Sequence, residues 1–464
     1  MPQSPAPSPE SLPVVVIGAG PVGLAAAAHL LERGLEPLVL EAGDDVGATV
    51  REWAHIRLFS PWEYDVDAAA RRLLERAGWD APRGGRLPTG GDLVTEYLVP
   101  LAATPELRDR IVTGARVLAV SRAGLDKTHS AGREERPFLV RTIVGRRVVD
   151  HHARAVLDAS GTWSQRNPLG AAGLPAAGEA ETGPFMLGPL PDVLVRDRDR
   201  VAGRHVLVVG AGHSATNTLL NLVELAQDEP GTRVTWAVRG ASVARTYGGG
   251  DADGLPARGQ LGSSLREAVE AGKIELLTSV TITGLDTTGG RVDVALDTPE
   301  GPRHLVVDAV AGATGFRPDL SMLRELRLDL DPGVEAPSRL APLIDPELHS
   351  CGTVPAHGAE ILAHPEPGFF VVGMKSYGRA PTFLLATGYE QVRSIAAHLA
   401  GDEDAANRLE LDLPETGVCS TTLPVLAADG TATVDPAGGG CCGAAPEPAV
   451  IGFPTGLKHG RSGE

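Results

Sequence analysis

The sequence predicts an α/β protein in which a parallel-sheet unit occurs twice, the second copy inserted within the first. An apolar run breaks at a glycine loop and opens a helix at residues 14–23, and the same pattern returns at 206–215. After each loop come short β segments and then an apolar strand ending in glycine, at 155–161 and 309–315. Strands alternating with helices in this way imply parallel sheets covered by helices.

Taken in order, residues 12–17 read as a buried strand, 21–33 as a helix and 37–40 as the next strand, ending at Glu41. Gly34 stands just past the helix, where a left-handed cap is expected. Segments 115–120, 137–144 and 146–149 read as a small antiparallel meander, and 155–161 as a returning strand. A connection rich in Gly, Pro and Ala, 167–184, precedes the second copy. That copy comprises strand 205–209, helix 214–226, strand 233–238, β segments 274–285, 292–296 and 304–307, and exit strand 309–315. A further buried strand, 368–373, and a helix over 381–399 with Pro381 in its first turn complete the first copy. The expected domains are therefore 13–166 together with 305–400, enclosing 167–304. Residues 1–12 are expected as a disordered lead and 401–464 as a Gly/Ala/Pro-rich tail.

Composition narrows the class. A chain of 464 residues has room for two or three domains with full cores. Its net charge of −17 argues against nucleic acid or an anionic membrane as partner, since phosphates would be repelled. No apolar run approaches the ~18 residues a spanning helix needs, and the first thirteen residues lack the basic start and apolar stretch of a signal peptide. Four cysteines in such a chain make no disulfide framework, which fits a reducing compartment. The expectation is a cytoplasmic protein acting on a small molecule, with a homo-oligomer left open.

The loops carry the chemistry. Gly18-Ala19-Gly20-Pro21-Val22-Gly23 matches G-x-G-x-x-G: Gly18 permits the tight turn, Gly20 lets a pyrophosphate approach, and Gly23 lets helix and strand pack closely. The helix start offers free N–H groups and a positive dipole end to phosphate. Glu41, closing the next strand, can accept both hydroxyls of a ribose and would repel a 2′-phosphate. A purely structural turn is the alternative. The second loop, Gly210-x-Gly212-x-x-Ala215, carries alanine at the third position, with His213 and Ser214 at the helix start as further phosphate donors. Its acidic position holds Arg239, whose planar fork suits a 2′-phosphate and so favours NADPH over NADH; an exposed arginine on a strand end is the alternative. The residues thus predict two Rossmann-like dinucleotide-binding domains, with electrons passing between two dinucleotides.

These motifs resemble the two-dinucleotide-binding-domain flavoproteins, specifically their flavin-containing monooxygenase-like branch, over about residues 12–400. The likeness also rests on Asp158-Ala-Ser160-Gly161-Thr162-Trp163 and Ala313-Thr314-Gly315-Phe316-Arg317-Pro318, which look like the two chain crossovers of that family. Trp53 and the run Ile56-Arg57-Leu58-Phe59-Ser60-Pro61-Trp62 resemble the segment lying along the flavin. The resemblance implies the FAD/NAD(P)-binding three-layer ββα fold, with FAD on the first site and NADPH on the second. Trp53, Leu58, Ser60, Val117, Ser160, Gly161 and Thr382 are then expected at the FAD, and Thr314 and Gly315 beside the nicotinamide. It further implies that the helix after the last strand points its N-terminus at the flavin, which makes Lys375, Tyr377 and Arg379 candidates for lining the active site. Polar loop residues facing water are the alternative for these three.

The expected activity is that of an FAD- and NADPH-dependent oxidoreductase, monooxygenase-like, oxidising a soft nucleophile through sulfur, nitrogen or a metalloid. Two departures favour a reductase or oxidase without oxygen insertion as the alternative. The branch's Phe-x-Gly-x-x-x-His fingerprint becomes Phe185-Met186-Leu187-Gly188-Pro189 with no histidine before His205, and its glycine pair followed by tryptophan is reduced to Gly47-Ala48-Thr49-Val50. No cysteine precedes Cys351, so the paired thiols of a dithiol reductase are missing from their usual places. Cys419, Cys441 and Cys442 in the tail suit a thiophilic metalloid such as arsenic, in keeping with the arsenic-resistance-associated members of the branch; incidental cysteines are the alternative and no metal site is expected. A metalloid- or redox-sensing protein with bound cofactors remains a third possibility.

Overall fold

Each apolar run that approaches a glycine loop becomes the central strand of a parallel sheet. The computed structural model describes residues 11–248, 256–345, 354–381 and 383–411, together with the backbone of 425–426 and 432–433. The strands, in chain order, begin with β1 (Val14–Ile17), β2 (Pro37–Leu40), β3 (Ile111–Val112), β4 (Ala115–Arg122), β5 (Phe138–Val144), β6 (Arg147–Ala153) and β7 (Ala155–Asp158). They continue with β8 (Met186–Leu187), β9 (His205–Val209), β10 (Arg233–Ala237), β11 (Glu275–Leu277), β12 (Thr281–Thr288), β13 (Arg291–Thr298), β14 (Gly301–Val307), β15 (Ala309–Gly312) and β16 (Phe369–Val371). Three long helices matter most: α1 (Pro21–Glu32), α2 (His213–Asp228) and α3 (Leu385–Leu399).

The duplication holds strand for strand. One parallel sheet has the order β16-β7-β1-β2-β3 and the other β8-β15-β9-β10-β11, while β4-β5-β6 and β12-β13-β14 are antiparallel meanders. Period-two alternation explains the layers. Val14 and Val16 pack with the α1 and α3 side chains, whereas Val15 and Ile17 pack with Phe138 and Val140 of the meander. Likewise Val206 and Val208 meet α2 side chains, whereas Leu207 and Val209 meet Val292 and Val294. Both faces of each central strand are buried, so its sequence is continuously apolar. The chain is a mixed α/β fold with helix, parallel sheet and meander as three layers in each copy.

Several boundaries differ from the sequence expectation. The segment 274–285 divides into β11 and β12, which belong to different sheets. The exit strand β15 pairs with β9, so the second sheet extends beyond residue 304. α3 starts at Leu385, with Leu384 extended before it, and Pro381 lies in the preceding loop rather than in the first turn. Residues 401–411, expected in the tail, continue from α3 through a short helix Glu403–Asn407, and Arg393 donates to the carbonyls of Ala405 and Arg408. Gly34 takes the expected left-handed conformation, φ +70°.

The chain divides into two units, Met1–Cys419 and Ser420–Glu464. Of the second, a pair of antiparallel two-residue strands is described, Val425–Leu426 with Ala432–Thr433. Among the described residues no helix is long and apolar enough to cross a membrane.

Candidate functional site

The two glycine loops have the same backbone architecture. Gly18 and Gly210 take φ of +101° and +127°, and a Cβ on them would stand 2.9 Å from the Ala159 carbonyl and 2.0 Å from the Ala313 carbonyl. Each first glycine is therefore required twice, by its left-handed conformation and by the crossover strand beside it. Gly20 and Gly212 are the residues before α1 and α2, and a Cβ on either meets nothing within 4 Å. Neither helix start is capped by a side chain, and neither first turn holds an acidic residue. Uncapped N–H groups below open space form an anion cradle, and a pyrophosphate fits both loops.

The third positions differ. A Cβ on Gly23 would lie 2.0 Å from the Gly18 carbonyl, whereas the side chain of Ala215 is accommodated and fully buried. The strand ends differ as well. Glu41 is buried, its Oε2 accepting from the Ala19 N–H and its Oε1 from the Gly43 N–H, both at 2.7 Å. The carboxylate braces the loop and keeps lone pairs free for a sugar. Arg239 is exposed and has no ion pair among the described residues. Six residues on, Arg245 is also exposed, in the short helix Ala244–Tyr247, whose Thr246 hydroxyl donates to the Ala211 carbonyl of the second loop. Spacing alone gave no signal for Arg245, because the turn that brings its helix against the loop has no periodicity.

The remaining predicted residues fall into three places. The segment 52–65 bridges the copies: the Phe59 and His213 rings meet tilted at 41° with centroids 5.3 Å apart, and the Arg196 guanidinium donates to the Glu52 carbonyl. Within it, Trp53 packs against Gly90, Leu58 sits at the edge of the core and Ser60 donates to Asp65 Oδ1 at 2.8 Å. Val117 lies beside the irregularity in β4, half-buried. The two crossovers meet each other: the Asn167 N–H donates to the Gly315 carbonyl, the Thr314 hydroxyl to the Asn167 carbonyl, and Trp163 stacks on Phe316 at 5.0 Å. Ser160 is exposed, and Gly161 takes φ +69°.

Lys375, Tyr377 and Arg379 do not share one surface. Lys375 is 1% exposed; its Nζ donates to Asp158 Oδ2 at 2.7 Å and to Ser160 Oγ at 3.1 Å. Tyr377 is buried against Phe383 and His357, and burial pushes its phenol above the usual range. Arg379 is exposed and paired with Glu335, a residue in left-handed conformation at φ +58°. Gln391 of α3 supports this turn, accepting from the Gly373 N–H and donating to Ser376 Oγ. Val22 touches the same turn, since a Cβ on Gly373 or Gly388 would meet it at 3.3 and 2.7 Å. The first turn of α1 and the start of α3 are thus neighbours. Among the described residues no three His, Cys, Asp or Glu side chains cluster as metal ligands. Thr382, Cys419, Cys441 and Cys442 lie outside the described residues.

Residues 13–134 match the family described as FAD dependent oxidoreductase. Among curated proteins none matches this sequence. Solved structures do. Bacillithiol disulfide reductase of Bacillus cereus is 18% identical with a TM-score of 0.60, over 84% of this chain and 99% of that one. Thioredoxin reductase of Thermoplasma acidophilum (17%, TM-score 0.54) matches over 85% and 99% of the two chains. An ornithine N-hydroxylase from Kutzneria, whose structure holds reduced FAD, NADP+ and L-ornithine, is 15% identical (TM-score 0.54) over 86% and 99%. The chain thus has the two-domain FAD/NAD(P)-binding fold seen in thioredoxin reductase and in flavin monooxygenases.

Proposed function

We propose that this protein is an FAD- and NADPH-dependent oxidoreductase of monooxygenase-like type, oxidising a small substrate at sulfur, nitrogen or a metalloid. One observation carries the reading: two open, uncapped helix starts, one beside a buried carboxylate and one beside exposed arginines, joined by the Phe59–His213 contact. Gly20 and the start of α1 would hold the FAD pyrophosphate, with Glu41 on its ribose. Gly212, Ser214 and the start of α2 would hold that of NADPH, with Arg239 and Arg245 on the 2′-phosphate. When bound, the flavin supplies the hydride-accepting and oxygen-reacting chemistry. The chain's residues position the two rings and carry charge.

The family match over residues 13–134 supports FAD on the first loop. Purified protein should be yellow, release FAD on denaturation and oxidise NADPH in preference to NADH. A panel of sulfides, amines and arsenicals then reads the outcome as oxygenated product per NADPH consumed. Colourless protein that takes up no FAD overturns the reading.

A reductase or oxidase that inserts no oxygen is the second reading. It is favoured by Gly188-Pro189 standing where the monooxygenase-like histidine fingerprint would run. Hydrogen peroxide or a reduced acceptor, formed in place of oxygenated product, would establish it.

A further inference from the structure

The bridging segment holds a buried carboxyl that has no countercharge among the described residues. Asp65 ends the short helix Trp62–Asp65 and is 1% exposed. Its Oδ1 accepts from the Ser60 hydroxyl at 2.8 Å, and its Oδ2 has no hydrogen-bond partner among the described residues. Ser60 itself is half-buried. One end of the segment reaches the second loop through Phe59 and His213. The other reaches α3, where the Tyr389 hydroxyl donates to the Asp65 carbonyl at 2.8 Å. Because α3 starts beside the first turn of α1, Ser60 and Asp65 lie on a segment that runs from the second loop to the helix that starts beside the first.

Among the described residues none of the surrounding groups supplies a free cation. Tyr389 and Tyr97 are neutral phenols whose ionisation burial opposes. Asp67 is engaged by His29 and by the Ala70 N–H. Arg86 lies over the Trp62 ring and is held by Asp92 and Glu96; Glu63 is exposed. Burial therefore pushes the Asp65 carboxyl up to about 7, against the lowering effect of Ser60.

We propose that Asp65 and Ser60 form a proton relay opening between the two glycine loops, with Asp65 as a positioning residue that acts through the serine. When Asp65 is ionised, the Ser60 proton points at it and the serine offers lone pairs outward. When Asp65 is protonated, its O–H donates to Ser60 Oγ and the serine proton turns outward. In the transfer step the Asp65 proton moves to Ser60 Oγ while Ser60 gives its own proton to an acceptor in the gap. Ser60 stays neutral, Asp65 becomes a carboxylate, and a proton from water reloads it. The proposal rests on the reading of the protein as an NADPH-dependent flavoprotein. Both versions of that reading consume one proton per NADPH, whether the products are water and oxygenated substrate or a reduced acceptor.

The test uses FAD-loaded protein, with its visible flavin spectrum recorded from about pH 5 to about pH 9, roughly two units on either side of the expected midpoint. The wild type should show a one-proton transition near 7. Reconstituted with FAD, Ser60→Ala and Asp65→Asn should lose the transition, and Ser60→Thr, which keeps the hydroxyl, should restore it. The pH profile of anaerobic flavin reduction by NADPH, and of reoxidation, should lose the same inflection. Should Asp65→Asn fail to fold, the two serine variants decide. A flavin-loaded wild type with no transition, or a transition that survives Ser60→Ala, overturns the relay alone. A chain that takes up no flavin overturns the relay together with the functional reading.

Discussion

The two glycine loops share a backbone and differ in what surrounds it. The first is braced on every side: Glu41 ties Ala19 to Gly43, Gly23 leaves no room for a methyl group, and a buried Lys375–Asp158 pair fastens the end of β7. In the second, the position matching Asp158 is Gly312, the third loop position is Ala215 and the charges are exposed arginines. A cofactor that stays bound is served by a rigid, preorganised cradle, because little ordering entropy is lost on binding. A cofactor that comes and goes is served by an open site with exposed charge, which aids encounter and selects by charge. The contrast accords with a resident FAD and an exchanging NADPH.

The largest effect should come from breaking the brace peculiar to the first copy. Lys375→Met leaves the Asp158 carboxylate buried with Ser160 as its remaining side-chain partner. Removing one member of a buried pair costs about 3–5 kcal/mol. Urea unfolding should show a loss of that size, with FAD released at lower denaturant than in the wild type. An unchanged midpoint would mean that the pair contributes nothing to the first site. Gly23→Ala comes next. Its methyl would lie 2.0 Å from a backbone oxygen that cannot swing aside, so α1 and β1 must part. Overpacking of this kind costs about 1–3 kcal/mol, and FAD should be largely lost on purification while NADPH binding persists.

Arg239→Ala attacks the second site through its charge. A charge-assisted hydrogen bond contributes about 1.5–3 kcal/mol, so the NADPH dissociation constant should rise about 10- to 100-fold with that for NADH nearly unchanged. Equal losses for both nucleotides would remove the 2′-phosphate role. A small effect with Arg239→Ala that grows in combination with Arg245→Ala would show the two arginines sharing the anion.

How much was legible follows from which physical signals are local. The paired sheets were readable because a strand buried on both faces must be apolar throughout, and because a first glycine beside a crossover carbonyl has no substitute. The two-residue strands β3 and β8 were not, since two residues carry no periodicity and are recruited by the sheet edge. The helices Trp62–Asp65 and Ala68–Arg76 were also missed. The first is a single turn, and the second is set by Asp67, whose side chain accepts from the Ala70 N–H. At the site, the glycines, Glu41 and Arg239 were named from spacing. The Ser60–Asp65 bond and the burial of Lys375 depend on packing against distant segments, and no window of sequence reports it. Pro381 misled for a related reason: its fixed φ suits a first helical turn, but Phe383 packs on Tyr377 and Leu384 is extended before α3 begins.

The smallest effect tests whether the third loop position matters for the cofactor or only for the helix. Ala215 is fully buried in the first turn of α2, close to the place that Gly23 holds in α1. If the second loop required the same close approach as the first, alanine would be strained there and glycine would relieve it. A methyl buried in a regular first helical turn argues the opposite. Ala215→Gly should therefore lower stability by about 1 kcal/mol, the helix-propensity difference together with a lost methyl contact, and leave the NADPH dissociation constant unchanged. Tighter NADPH binding in this variant would mean that the second cradle is as close-packed as the first, and the contrast between a braced site and an open one would have to rest on charge alone.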